Sequence, residues 1–207
     1  MLAAADAVEP SPNSPLRPAT MRLAVVLLYT TGLRLGELQR LAMGDIEYDG
    51  GLLRVRESKF HKSRLLPLSA ITRAELLAYL VRRAGAGFAT APTAPLLCTR
   101  ARGRMKPYSI SGLQHGLNSL LRGAAMSAEG TQRPRVHDLR HSFAVQALAR
   151  WYRQGADVQA QLPKLAMYMG HVSIESTAYY LRWTDEIAAL ASKRFAQHFA
   201  STIGGRS

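Results

Sequence analysis

The chain has 207 residues, 47% of them hydrophobic, and a formal net charge of +13 from 27 Lys and Arg against 14 Asp and Glu. That length and apolar share support a buried core without staples and exclude wholesale disorder, while a single cysteine, Cys98, excludes a disulfide framework or a cysteine-rich zinc module. A positive surplus this large repels itself unless a polyanion is near, so nucleic acid is the first partner to consider. The surplus is uneven: residues 1–50 carry four basic and six acidic side chains, residues 51–99 eight and two, and residues 100–153 ten and two. A device for solubility alone would spread it.

The elements follow in chain order. Residues 2–8 suit the last turns of a helix, and the proline-rich EPSPNSPLRP at 9–18 is a loop. Residues 21–30 are almost wholly apolar and predict a buried helix, broken at Thr31-Gly32 and resumed over 35–43 with apolar residues at helical spacing. Residues 46–48 and 52–57 read as strands around the turn 49–51, SKFHKS as a second turn, and RLLPL at 64–68 as a third strand. Thr72 and Glu75 form a candidate capping box ahead of the helix LLAYLVRR. After a Gly/Ala/Pro loop at 84–95 come a short strand at 96–98 and a basic loop, RARGRMKP, at 100–107. Ser109 is placed to cap a helix reaching Ala125, with a linker at 127–134. Helices are expected over 137–154, 158–169, 173–182 and 185–199, the last with an apolar stripe. The fold class is thus mostly α with one small antiparallel sheet. The longest apolar run, residues 23–29, is far below the ~20 residues of a membrane span, and MLAAADAVEP lacks the basic flank of a signal peptide. The expectation is a cytoplasmic protein with no membrane partner.

Several reactive side chains sit where local structure changes. Arg34 lies at the helix junction TGLRLGEL, Lys59 at a hairpin tip in SKFHKSR, and His137 and Arg140 three apart in HDLRH. His171 follows Gly170, and Tyr180 lies nine residues later in STAYYL. Each alone has an ordinary structural use, as an ion-pair partner, a solvated cation, a helix cap or a core aromatic. Together they suit phosphodiester chemistry. Two guanidiniums can clamp the non-bridging oxygens of one phosphate, which supplies both positioning and charge stabilisation. A histidine moves protons near neutrality, and a tyrosine with an intrinsic pKa of ~10 can attack when a base and a positive field assist it. The sequence shows no carboxylate cluster for a two-metal site and no glycine-rich phosphate loop, so covalent catalysis by tyrosine, with no metal or other cofactor, is the consistent expectation.

The motifs TGLRLGEL, KFHKSRLLPL, HDLRHSFA and MGHVSIESTAYY, in this order, resemble the tyrosine recombinases of the phage integrase family, specifically a Xer-like catalytic domain. The resemblance runs from about residue 21 to residue 180 and implies the fold of that DNA breaking-rejoining domain. It implies that Arg34 and Arg140 hold the scissile phosphate and that Lys59 protonates the leaving 5′-hydroxyl, with Lys62 as the alternative lysine. His137 would assist proton transfer at the nucleophile and His171 would hydrogen-bond the phosphate. Tyr180 would form the 3′-phosphotyrosyl link. It is preferred over Tyr179 because of the nine-residue spacing from His171, and one residue along a helix turns a side chain by ~100°. Glu37 would brace the site. For DNA contact the candidates are Lys62, Arg64, the basic loop with Arg100, Arg102, Arg104 and Lys106, and Arg133 and Arg135 ahead of HDLRH. The implied activity is site-specific recombination or integration, as in phage or transposon movement, in a bacterial nucleoid. The implied partners are double-stranded DNA, further copies of the chain in a homotetramer on paired DNA sites, and a partner recombinase.

The expected organisation is a residual helix end and loop over 1–18, a catalytic domain over 19–183, and a C-terminal helix and tail over 184–207 that either docks on a neighbouring protomer or folds back on its own core. Members of the family carry a further helical domain ahead of the catalytic one, which this sequence lacks; a fragment, a misassigned start and gene decay each account for that. Without it, DNA binding is expected to be weaker and more sensitive to salt. The competing readings are a truncated, non-catalytic DNA-binding remnant, a type IB topoisomerase and an architectural basic protein.

Overall fold

The computed structural model describes residues 1–56, 63–125 and 134–170. It is mostly helical with small antiparallel sheets, as the sequence predicts. The chain divides into two compact units, one spanning Met1–Arg140 and a second beginning at His141.

In the first unit, α1 (Leu2–Asp6) precedes the central helix α2 (Arg17–Thr31). This helix starts earlier than the proline-rich sequence suggests, because Pro18 falls in its first turn, where the missing N–H would have no intrahelical partner anyway. Its buried residues include Leu23, Ala24, Val25, Val26, Leu27 and Leu28, and it packs against α1 and three later helices. Being covered on several sides, it carries no amphipathic pattern. It ends at Gly32, whose φ of 62° is left-handed and whose N–H returns to the Leu28 carbonyl at 3.2 Å. Next comes α3 (Leu35–Arg40), which stops short of the expected 43, followed by a 3-10 turn at Met43–Asp45.

The three-stranded sheet is formed by β1 (Ile46–Glu47), β2 (Leu52–Val55) and β3 (Arg64–Pro67), all antiparallel, with Ile46 opposite Leu53 and Val55 opposite Arg64. Ile46, Leu53, Val55 and Leu66 are its buried residues. Helix α4 (Ala70–Gly85) follows. Its cap is Ser69, whose Oγ accepts from the Thr72 N–H at 3.2 Å, so the capping box expected at Thr72 and Glu75 is corrected by one turn. Glu75 instead accepts two hydrogen bonds from Arg22 of α2, at 2.8 and 2.5 Å, and Arg22 also reaches Asp6 of α1 at 2.6 Å. The Arg22 hydrogen bond holds the Glu75 carboxyl below the usual range against a smaller upward push from burial. Arg83, near the end of α4, is fully buried and donates to the carbonyls of Ala89 and Leu96 at 2.6 and 3.1 Å and to the sulfur of Cys98.

The basic segment 100–107 is not a loop. It forms a hairpin of β4 (Cys98–Ala101) and β5 (Arg104–Pro107), with Ala101 opposite Arg104. Arg102 and Gly103 make the two-residue turn with φ of 50° and 74°, the primed geometry that matches strand twist. Met105 faces a small core of Leu16, Phe88 and Cys98. Helix α5 (Ile110–Ala125) begins where expected, with Ser109 Oγ accepting from the Gly112 N–H at 3.0 Å. It approaches α2 so closely that a Cβ on Gly116 would lie 2.6 Å from the Met21 sulfur.

Helix α6 (Val136–Arg153) opens at the end of the first unit. In the second unit its Ala144, Ala147 and Leu148 form a core with Val158, Leu162, Leu165 and Met169 of α7 (Val158–Met169), and Phe143 stacks on Tyr168 at 5.4 Å. Asp157 caps α7 by accepting from the Ala160 N–H at 3.2 Å. The helices expected over 173–182 and 185–199 lie outside the described residues, as does most of the expected linker. Among the described residues no helix is long and apolar enough to cross a membrane.

Candidate active site

The junction between α2 and α3 sets the site. Gly32 turns the chain, and Arg34 enters α3 in an extended conformation, φ −75° and ψ 148°. Glu37, one turn on, reaches back to the Arg34 N–H through Oε2 at 2.9 Å and to Arg34 Nη1 through Oε1 at 3.0 Å. The same two oxygens accept a parallel pair from Arg64 of β3, Nη1 to Oε1 at 3.0 Å and Nη2 to Oε2 at 2.8 Å. Glu37 therefore receives four hydrogen bonds, which fills the capacity of a carboxylate. Burial pushes its carboxyl upward. The hydrogen bonds from Arg64 and the Arg34 backbone, together with both positive charges, outweigh that push and hold it below the usual carboxylate range. The Glu37 side chain is 2% exposed, that of Arg64 10% and that of Arg34 32%.

Arg140 comes to the same junction from α6. It is buried, and its guanidinium donates to the Gly32 carbonyl, two residues before Arg34. The structure thus brings Arg34, Glu37 and Arg140 to one turn of the chain. His137, three residues before Arg140 on α6, is exposed. Its neighbour Arg135 is also exposed, and the Arg135 N–H donates to Asp138 at 2.7 Å, which fixes the start of α6. Lys59, Lys62, Arg133, His171, Tyr179 and Tyr180 lie outside the described residues.

Strands β2 and β3 are each anchored next to residues 57–62, the segment of the sequence that contains Lys59. Arg56, just after β2, pairs with the buried carboxylate of Asp45, which also accepts from the Ala42 N–H at 2.9 Å. Arg64, at the start of β3, pairs with Glu37. The sequence does not mark Arg56, and it assigns Arg64 to DNA contact rather than to Glu37. For Arg64 a signal exists: strand side chains alternate, and residue 64 shares its face with Leu66, which is fully buried.

The sequence groups Arg64 and Arg100 with the DNA-facing cations, but the structure engages both within the fold. Arg100 donates to the Ala86 carbonyl at 2.7 Å and lies over the Phe88 ring at 4.8 Å from its centre. Arg102, Arg104 and Lys106 are exposed on the β4–β5 hairpin.

Residues 4–186 match the phage integrase family. The chain belongs to that family. Among its relatives, this phage integrase family chain is 41% identical over 184 residues to a putative integrase/recombinase of Sinorhizobium fredii, covering 89% of the chain and 57% of that protein. It is 32% identical over 185 residues to the tyrosine recombinase XerA of Pyrococcus furiosus, again covering 89% of the chain and 57% of the relative. The chain therefore spans little more than half the length of these relatives. Its fold resembles a solved XerA recombinase with a TM-score of 0.68 at 22% identity, covering 95% of this chain and 59% of that one. It also resembles the XerH recombinase bound to its palindromic difH substrate in a post-cleavage complex, with a TM-score of 0.67 at 20% identity, covering 94% and 50%. These likenesses identify the tyrosine-recombinase catalytic-domain fold.

Proposed function

We propose that this chain is the catalytic part of a site-specific DNA recombinase that cuts and rejoins strands through a 3′-phosphotyrosyl intermediate, with neither metal nor ATP. The observation that carries this is the convergence of Arg34 and Arg140 on the turn at Gly32, with Glu37 bracing the first of them. Two guanidiniums at one turn suit the charge that builds on the non-bridging oxygens of a phosphodiester under attack.

In this mechanism the Tyr180 hydroxyl attacks the scissile phosphorus and passes its proton to His137, and a P–O bond forms to the tyrosine oxygen. The bond from phosphorus to the 5′-oxygen breaks, and Lys59 donates a proton to that leaving oxygen. Arg34, Arg140 and His171 hold the phosphate. A 5′-hydroxyl from another strand then gives its proton to Lys59 and attacks the phosphotyrosyl ester, the tyrosine oxygen leaves with the proton held by His137, and the backbone is restored. No external energy is needed, because one phosphodiester bond is exchanged for another. The partners are double-stranded DNA and further copies of the chain on paired sites, with a partner recombinase as an alternative to identical copies, at the bacterial nucleoid.

The test is incubation of the chain with nicked suicide DNA substrates, followed by denaturing electrophoresis. The expected result is a covalent protein–DNA band that disappears in Tyr180→Phe and in Arg140→Ala. DNA binding without any such band, on the cognate site, would instead identify a non-catalytic DNA-binding remnant.

A further inference from the structure

We propose that Arg64 is a positioning residue for the phosphate site: it fixes the Glu37 carboxylate that orients Arg34, and it ties the segment of the sequence that contains Lys59 to that arginine. This rests on the recombinase reading above and adds to it a residue that acts without touching DNA.

Arg64 and Glu37 make a parallel two-bond pair, 3.0 and 2.8 Å, with side chains 10% and 2% exposed. Such a pair fixes the plane of the carboxylate as well as its place. With two of its four accepting directions taken by Arg64, Glu37 offers Arg34 one contact from the backbone N–H and one from Nη1. Arg34 is thereby held to Glu37 through Nη1, and its side chain stays 32% exposed. Remove Arg64, and both carboxylate oxygens gain room for a second bond. Arg34 is the adjacent guanidinium, and a two-bond pairing with Glu37 would draw it away from a phosphate. The charge changes too. Two guanidiniums on one carboxylate leave a net positive centre, suited to an anion, whereas Arg34 and Glu37 alone are neutral.

The position of Arg64 in the chain gives the second part. It is the first residue of β3, paired across the sheet with Val55. The six residues 57–62, which include Lys59, are bounded by Arg56 on Asp45 and, across Ser63, by Arg64 on Glu37. The acid expected to protonate the leaving group and the arginine expected to hold the phosphate thus share one anchor. A misplacement of about 1 Å in such a pair can cost ~100-fold in rate.

The experiment compares the full chain with Arg64→Met, Arg64→Lys, Arg34→Ala and the Arg34→Ala/Arg64→Met double variant. Each is assayed on a suicide substrate in single turnover, over a range of DNA concentrations and below the melting temperature of every variant. For Arg64→Met the expected result is a fall of roughly 10- to 100-fold in the cleavage rate at saturating DNA, with half-saturation within about 2-fold of the parent, the signature of an orientation effect with binding unchanged. In the double variant, Arg64→Met should add less than its full loss to Arg34→Ala, because the part of its effect that passes through Glu37 and Arg34 is already gone and only the part that passes through the Lys59 segment remains. If Arg64→Met does not fold, Arg64→Lys is read in the same way, since lysine keeps the charge but loses the planar fork. A parental cleavage rate in Arg64→Met, or in Arg64→Lys where Met does not fold, overturns the proposal. So does a full additional loss in the double variant. Absence of any adduct from the parent chain on its cognate site would defeat the recombinase reading itself, and this inference with it.

Discussion

At the scale of single residues, Glu37 organises more of the site than its place in the sequence suggests. A glutamate one turn after Arg34 is an ordinary first-turn acid, favourable to a helix N-terminus, and the resemblance marks it as a brace. What the sequence conceals is that a second arginine, 27 positions later, reaches the same two oxygens. Nothing local encodes that encounter; it follows from β3 pairing with β2 and returning the chain to α3. The ionisation of Glu37 gives a direct check. Its folded carboxyl titrates below the usual range, so the folded state binds this proton less readily than the unfolded chain. The stabilisation is then complete above the unfolded value of ~4.3 and is lost as pH falls through the lower folded value. Denaturant unfolding of the parent and of Glu37→Gln should show a clear gap near pH 7 that narrows as the pH is taken from about 5 to about 3. A gap of constant size across that range would show that Glu37 acts through packing alone.

Among the elements, the β4–β5 hairpin separates a cation engaged within the fold, Arg100, from exposed ones, Arg102, Arg104 and Lys106. Alternation along β5 puts Arg104 and Lys106 on one face and Met105 on the other, against the Phe88 core. The turn demands a positive φ at Arg102, 50°, which costs a residue with a Cβ about 1 kcal/mol or more. Arg102→Gly should therefore raise stability by up to ~1 kcal/mol in denaturant unfolding while weakening DNA binding, so that the two properties move in opposite directions. Arg104→Ala and Lys106→Ala should leave unfolding nearly unchanged and each reduce the slope of log affinity against log salt by about 0.9. Unchanged slopes would remove this hairpin from the DNA surface. The same hairpin shows why some elements are legible and others are not. Helix α7 and the start of α5 are marked by local caps and apolar periodicity, and they appear within a residue of expectation. The hairpin is hidden because Arg102 stands where a primed turn usually has Asn, Asp or Gly. The start of α2 is hidden by prolines that a first turn tolerates. Arg83 reads as a last-turn cation serving the helix dipole, yet it is buried among the carbonyls of Ala89 and Leu96. For Arg83 a tertiary contact overrides the local signal; in the other two cases the local signal itself admits a second backbone geometry.

For the whole molecule, the net charge of +13 resolves into two populations. Some of it is committed inside the fold: Arg22 on Glu75 and Asp6, Arg64 on Glu37, Arg83 on carbonyls, Arg100 on Phe88. The remainder that the structure describes as exposed includes Arg102, Arg104, Lys106 and Arg135, all within the strongly basic stretch 100–153. Composition alone cannot make that division, because a guanidinium satisfied by a carboxylate counts the same as one facing solvent. It does matter to the expected behaviour with DNA. Only exposed cations release condensed counterions when they meet phosphates, so affinity for arbitrary duplex should fall steeply with salt, though less steeply than 27 basic side chains would suggest. If six to ten phosphates are neutralised, affinity should drop by ~10³- to 10⁵-fold between 50 and 200 mM salt. Fluorescence anisotropy with a duplex of random sequence, read across that range, measures the slope directly. The decisive control is Arg64→Met, which should leave the slope as it is, since Arg64 is committed to Glu37, whereas Arg104→Ala should lower it. A slope that falls equally in both variants would place Arg64 back among the DNA contacts and remove the distinction between the two populations.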